Sequence, residues 1–482
     1  MEQQKMIVLE FNELCPALLK HWMAAGLLTN FKKFYDCSHV FTAQADDDDP
    51  SHWEPWIQWY SIHTGFSYAQ HGVFHLADGP AAGHDDVWQI LVRNGHGVAN
   101  CGSMNAKAVQ GSNCFFVPDP WCRTESPYPS ELRAYYDVVA GLVHDSSQSR
   151  AVALPISAYV KFLRFMLGHG LSLATVKAIF KQLWSDTVLH QAMAWKRAAI
   201  LDKLQFDVFR YYWNRTQPQF STFFLNSTAH YQHAYWHLLF PSTFQPLIQL
   251  EAPAGARDAI LFGYQQMDAL LERFFELQRG GALLVLCTAL SQQANPNANK
   301  IFYRPRNAAA FLRVLDIECQ ELLPVMAHQY SARFADQRSA EKAKAKLMTL
   351  QCDGKRLIDI ADSPEGTVFF GVRSGNQLPP DAMIQGRDNI TFRFHEHFYL
   401  LPTVKSGAHH PESVLWINTG QHKIHPDVVS ILDILPTILD YFRTDSREME
   451  SSPTRVGKSL WPLMNQPLNG NRLDKALKAR SL

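Results

Sequence analysis

The sequence predicts an α/β protein with a mostly parallel central sheet covered by helices on both faces. Three observations predict it. The chain has 482 residues, 46% apolar and 19% charged, which is globular and long enough for one large α/β domain with insertions or for two domains. Short apolar runs such as Met6–Phe11 and Ala282–Cys287 alternate with stretches whose apolar residues recur at helical spacing. Several of these runs stop on polar side chains, and open α/β sheets bind ligands beyond the carboxyl ends of their strands.

Met6–Phe11 reads as a buried strand, followed by a helix from Leu18 to Leu28. Val98–Cys101, Ser221–Leu225, Ala282–Cys287 and Val414–Ile417 read as further strands. Ala259, Leu261, Tyr264, Met267, Leu270 and Phe274 share a helical face, placing a helix over 258–278, and another covers 428–442. These elements group into a core of 1–127, 216–294 and 400–465. Residues 128–215 form a helical insertion. Lys161, Arg164, Lys177 and Lys181 give it a basic face, read either as a solvated face or as peripheral contact with a membrane surface or anionic substrate. Residues 295–399 form a second, smaller α+β insertion, with charged helical segments at 330–348 and short strands at 366–398. The polar tail 466–482 is expected to be loosely held.

Forty-five Lys+Arg balance forty-five Asp+Glu, so nothing points to general nucleic-acid affinity. The eight cysteines are scattered without a CxxC pair, the pattern of reduced thiols. Residues 1–6 are polar and lead straight into a strand, and no apolar run reaches a membrane span. The expectation is a soluble, cytoplasmic protein without a transmembrane segment.

The polar strand ends are Glu10 and Asn12, Ser103 and Asn105, Asn226 to His233, and Thr288 to Ser291. Their coincidence predicts one composite site. His230, His233 and His237 follow the capping residues Asn226 and Ser227 and fall near one helical face. There they share a metal, supply a general acid or base, or merely edge a helix packed by Tyr231, Tyr235 and Trp236. A second His pair, His409 and His410, precedes a strand. The segment Pro50–Gly65 sets Ser51, His52 and Glu54 among Trp53, Trp56 and Trp59, after the acidic run Asp46 to Asp49. Glu54 amid indoles is partly desolvated, which suits a metal ligand, a raised-pKa acid or a buried hydrogen-bond acceptor. Trp53 is a candidate stacking residue, whereas Trp56 and Trp59 serve core packing equally well.

Taken together, these segments resemble the alkaline phosphatase superfamily, in its type I phosphodiesterase/nucleotide pyrophosphatase branch. Val8–Leu14 resembles that family's opening strand ending in Asp-Gly, and Gly26–Phe31 its following turn. Trp59 through Thr64-Gly65 and His71-Gly72 is similar to the segment after the nucleophile. Ala229–His233 resembles the D-x-x-x-H metal motif, and Leu284–Ser291 sits where the family shows a strand ending in S-D-H-G. Gly407–His409, Ser430–Thr437 and Gly457–Leu460 resemble the closing G-x-H, S-x-x-D-x-x-P-T and G-x-S-L segments. The resemblance implies an alkaline phosphatase-like three-layer sandwich and a site of two metals, usually zinc, around a Thr or Ser nucleophile.

Against that pattern the nucleophile position falls on Pro55, with Asn12 and Ala229 at the two metal aspartates and Ala289-Leu290 at the Asp-His pair. A dinuclear zinc site is therefore not expected. His233 and His409 keep their places, and with Glu54 they predict one divalent metal, zinc or manganese. The resulting expectation is a non-standard hydrolase acting on a small-molecule or glycan-linked anionic substrate bearing phosphate, phosphonate or sulfate. Glu54, His230 and Ser51 are its catalytic candidates. Asn12, Trp53, Thr288 and Asn226 are its substrate-binding candidates. The alternatives are a catalytically silent relative that binds a glycan, nucleotide or partner protein in the old cleft, and an enzyme using the histidines as plain acid–base groups.

Overall fold

The computed structural model describes residues 4–122, 124–148, 154–188, 193–244, 253–296, 301–325, 328–361, 363–387, 390–401, 405–444 and 455–465, so the tail 466–482 lies outside the described residues. The central sheet is built from β1 (Lys5–Phe11), β2 (His39–Gln44), β3 (Val98–Cys101), β4 (Phe115–Val117), β5 (Phe220–Leu225) and β6 (Ala282–Cys287), with the later strands Glu412–Asn418, Lys423–Ile424 and Val429–Ser430. β1 lies in the middle, parallel to β5 on one side and to β6 on the other. Beyond β5 follow β3 and β4, again parallel. The sheet is thus mostly parallel, as the apolar runs predict.

The exception is the strand Glu412–Asn418. It runs antiparallel to both β6 and β2, because the chain re-enters the sheet from the far end after the second insertion. Two helices also differ from expectation. The first is shorter: α1 (Pro16–Ala24) starts with proline at its first position, stops before Gly26 at φ 72°, and gives way to α2 (Thr29–Tyr35). The stretch 428–442 begins as the bridge Val429–Ser430 to β2. Ser430 then caps a 3-10 turn, and the helix proper is Ile434–Tyr441.

Side chains of β1 alternate between two apolar layers. Ile7, Leu9 and Phe11 join the helices Ala198–Thr216 and Ala259–Gln278 in one core. Met6 and Val8 join α3 (Pro55–Thr64) and Ile434–Tyr441 in the other. Glu10 also faces the second layer and meets His63 of α3 at 2.9 Å, a pair with almost no exposure. Residues 301–400 carry a six-stranded antiparallel sheet with its own core, packed by the helix Gln337–Met348. The segment 133–188 contributes the helices Arg133–Gln148, Ile156–Gly168 and Leu173–Val188. Among the described residues no helix is long and apolar enough to cross a membrane.

Asp202, on Ala198–Thr216, accepts a hydrogen bond from Ser227 at the start of the helix Ser227–Leu239 and so ties the two helices together. Burial pushes its carboxyl up to about 7, although Ser227 and Lys203 pull the other way. A raised folded-state pKa stabilises most below the unfolded value, and that contribution is lost as pH rises through about 7. Asp202→Asn, which keeps an acceptor without the charge, is expected to gain roughly 1–3 kcal/mol over wild type between pH 5 and pH 8. Urea midpoints across that range check it; parallel curves for the two proteins contradict it.

Candidate metal centre

The site lies where β1, β5 and β6 run out of apolar residues. The Asn12 N–H still donates to Leu225 O at 2.9 Å, continuing the ladder to β5. The next residue, Glu13, turns into the left-handed region at φ 61° and is almost fully buried. A non-glycine residue rarely adopts this conformation, and such strain persists only where surrounding contacts impose it. Those contacts are present: Glu13 bridges to Ser291, and its carbonyl accepts from the Gln232 side chain at 2.6 Å.

Three segments converge on the Glu13 carboxylate. The helix Ser227–Leu239 brings His233 Nε2 to 3.1 Å from Oε2. The strands β7 (Ser291–Ala294) and Gly407–His410 form a two-stranded ladder in which Gln292 faces His409. That ladder places His409 Nε2 at 3.5 Å from the same oxygen, and Gln292 donates its amide to it. Ser406 N–H binds His233 O at 2.8 Å, tying helix to ladder. Gly407 is required here by close approach. A Cβ on it would lie 2.4 Å from Gln292 Oε1 and 2.7 Å from Gln232 O.

Glu13, His233 and His409 each present one donor atom, all within 4.8 Å of one another. Donors held about 2.1 Å from a tetrahedral zinc lie roughly 3.4 Å apart, so 3.1 and 3.5 Å suit one shared cation. Two imidazoles and a carboxylate form a donor set that leaves a fourth position for water or substrate. His409 Nε2 is buried without a hydrogen-bond partner, as a nitrogen awaiting a cation would be. On the far side of the same ring, Nδ1 lies 3.6 Å from Glu54 Oε2, the arrangement in which a carboxylate orients a ligating histidine.

Burial alone would raise the Glu13 carboxyl, but His409 and His233 hold it well below the usual carboxylate range. Burial lowers His233 to about 4, a shift that Glu13 only partly offsets. Burial also opposes charge on His409, yet Glu13 and Glu54 together raise it. Of the two imidazoles, His409 is therefore the one the surroundings favour to carry charge. Burial raises Glu54 despite the nearby positive charge of His409 and Lys405.

The sequence-predicted residues divide between this centre and its surroundings. His233 and His409 are in it. Glu54 stands behind His409, outside the three-residue group, at the position before the first residue of α3. Pro55 is that first residue, so the expected nucleophile position is a helix start. Asn12 is fully buried and committed: its amide donates to Glu13 Oε1 at 2.8 Å and Asn226 Oδ1 at 2.7 Å, and its oxygen accepts from Trp59 at 2.9 Å. Thr288 is also buried, and its hydroxyl accepts from Val414 N–H at 2.9 Å. Trp53 donates to Asp47 O, and Ser51 N–H donates to Asp49. His230 is exposed on the helix Ser227–Leu239, one turn before His233. Ala229, Ala289 and Leu290 are buried, so apolar side chains stand where the resemblance places a second set of ligands.

Sequence reasoning missed Glu13 and Gln292. Glu13 falls where the resembling motif has glycine, which hid it. The available signal was a carboxylate beside Asn12 at the end of a buried central strand.

No family model and no curated protein matches the chain. Among solved structures it is similar to phosphonoacetate hydrolase from Sinorhizobium meliloti 1021 in complex with phosphonoformate, at 13% identity over 92% of this chain and 96% of that one, with a TM-score of 0.41. It is also similar to murine ectonucleotide pyrophosphatase/phosphodiesterase 5, at 8% identity over 96% and 99% of the two chains, with a TM-score of 0.43. Likeness of this size assigns neither family nor activity.

Calorimetric titration of the metal-stripped protein is expected to show one Zn²⁺ or Mn²⁺ per chain. Glu13→Gln and His233→Ala should abolish binding, and Glu54→Ala should weaken it by about 10–100-fold. A wild-type protein that takes up no metal contradicts the assignment. Gly407→Ala should cost about 1–3 kcal/mol in denaturant unfolding and weaken metal uptake; unchanged behaviour would show that the ladder gives way freely.

Proposed function

We propose that the chain is a hydrolase-like relative of the alkaline phosphatase superfamily that acts on a phosphate, phosphonate or sulfate ester with a single divalent metal. The observation that carries this reading is the convergence of Glu13, His233 and His409 at metal-bonding separations. Their neighbours are arranged to serve such a centre, with Gln292 and Asn12 holding the Glu13 carboxylate and Glu54 facing the second nitrogen of His409.

A cation held by these three residues supplies Lewis-acid polarisation and neutralises charge that develops on an anionic substrate. The chain's own residues do the rest. Asn12 fixes Glu13 Oε1 and leaves Oε2 to face the imidazoles. Glu54 is partly exposed at the start of α3, and burial raises its carboxyl above the ordinary carboxylate range, the direction that suits a general acid. Lys405 adds positive charge felt by Glu54, His233 and His409, which favours an anionic substrate. Pro55 offers no hydroxyl, so water rather than a side chain is the nucleophile in this reading.

A second reading, a binding protein without turnover, draws on Asn12. Its side chain is fully hydrogen-bonded within the protein, and the buried Ala289 and Leu290 close the neighbouring position. Chromogenic phosphomonoester, phosphodiester and sulfate-ester substrates separate the readings. Turnover of one class is expected to need Zn²⁺ or Mn²⁺, to fall at least about 100-fold in Glu13→Gln and His409→Ala, and to survive in Ser51→Ala. Metal binding without turnover of any class supports the binding protein. Turnover that ignores metal and disappears in His230→Ala overturns both.

A further inference from the structure

Ten of the twenty large hydrophobic side chains that the described residues expose lie between Ile156 and Val188. They are not scattered. On Ile156–Gly168 the exposed apolar positions include Ile156, Leu163 and Leu167, which fall on one face at helical spacing. Phe165 and Met166 of the same helix are buried against the protein. On Leu173–Val188 the exposed positions Leu173, Phe180 and Trp184 again share a face, while Thr175 and Gln182 are buried opposite. Ile156 is 83% exposed and Trp184 74%, values at which each side chain sits almost wholly in water. Apolar stripes of this kind on consecutive helices mark a surface that something covers.

The charges beside the stripes indicate what covers them. Lys161 and Arg164 flank the first stripe and Lys177 and Lys181 the second, all four exposed. The only carboxylate between 155 and 188 is Asp186, which is turned inward and paired with Arg197 at 2.9 Å. Among the described residues no ion pair occupies any of the four basic side chains. Apolar and aromatic residues bordered by unpaired Lys and Arg are the chemistry of helices that lie in the plane of an anionic bilayer. A second copy of this chain fits poorly, because a two-fold contact would set the same four cations against each other.

We propose that the helices Ile156–Gly168 and Leu173–Val188 dock the protein onto an anionic lipid surface, with the apolar stripes among the acyl chains and the Lys/Arg flank at the headgroups. The pair lies on the surface and does not span it, since neither helix is long and apolar enough to cross. It is held to the body by rigid contacts. Ser172, in the turn between the two helices, donates both its N–H and its hydroxyl to Asp207, which also binds Arg273. Docking therefore engages the same helix, Ala198–Thr216, whose Asp202 secures the His233 helix.

Flotation of the full chain with phosphatidylcholine vesicles, with and without phosphatidylserine, tests this. Co-flotation is expected with the serine-containing vesicles only, and it should weaken as salt rises. Phe180→Ser with Trp184→Ser, and Lys177→Glu with Lys181→Glu, should each reduce it at least about tenfold. All four positions are exposed, and circular dichroism and metal uptake report whether each variant keeps its fold. No flotation with either vesicle overturns the proposal. So does flotation indifferent to phosphatidylserine and to the Lys→Glu changes, or self-association in lipid-free solution that the Phe180/Trp184 variant abolishes.

Discussion

The buried Glu13 carboxylate is the constraint around which the rest of the site is organised. An ionised carboxylate with almost no exposure is tolerable only with charge and hydrogen bonds supplied at close range. His409 supplies the charge, His233 sets a second imidazole against the same oxygen, and Asn12 and Gln292 supply the hydrogen bonds. Each partner comes from a different part of the chain, so one side chain dictates where a strand end, a helix and a two-stranded ladder must meet. The left-handed backbone at Glu13 is part of the same requirement. An ordinary extended residue at that position would continue the direction of β1, whereas the turn aims the carboxylate across the ends of its neighbours.

The second half of the cleft has gone the other way. Ala229, Ala289 and Leu290 are packed in the interior, and Asn12 spends its polar atoms on Glu13, Asn226 and Trp59. Trp59 is fully buried, and its indole N–H holds Asn12 in place. One half of the rim is thus apolar or internally satisfied, while the other keeps His409 Nε2 and His233 Nδ1 buried without hydrogen-bond partners.

Much of this was legible in the residues, for reasons that differ from element to element. The parallel sheet followed from runs such as Ala282–Cys287, because a strand covered on both faces must be apolar throughout. His233 and His409 were found because each keeps its place in the resembling pattern, His233 in Ala229–His233 and His409 in Gly407–His409. Glu54 was found through its indole neighbours, yet only the structure shows that it stands behind His409 and not within the group of three. Thr288 sits at a strand end too, and its hydroxyl serves the sheet, since position alone does not say which way a side chain points. Glu13 stayed hidden because its value depends on a backbone turn that no local pattern announces. Gln292 stayed hidden because its partner His409 lies over a hundred residues away.

That last separation bears on how the protein reaches its final state. The ladder joining Ser291–Ala294 to Gly407–His410 closes a loop that contains the whole antiparallel sheet of 301–400. Closure of so long a loop costs less entropy once the intervening segment has compacted. Until the ladder closes, Glu13 has a single imidazole beside it and a burial cost only half compensated. A cation that binds the closed arrangement and not the open one draws the chain toward closure by mass action. A cation taken up by Glu13, His233 and His409 would thereby take part in maturation as well as in the finished site.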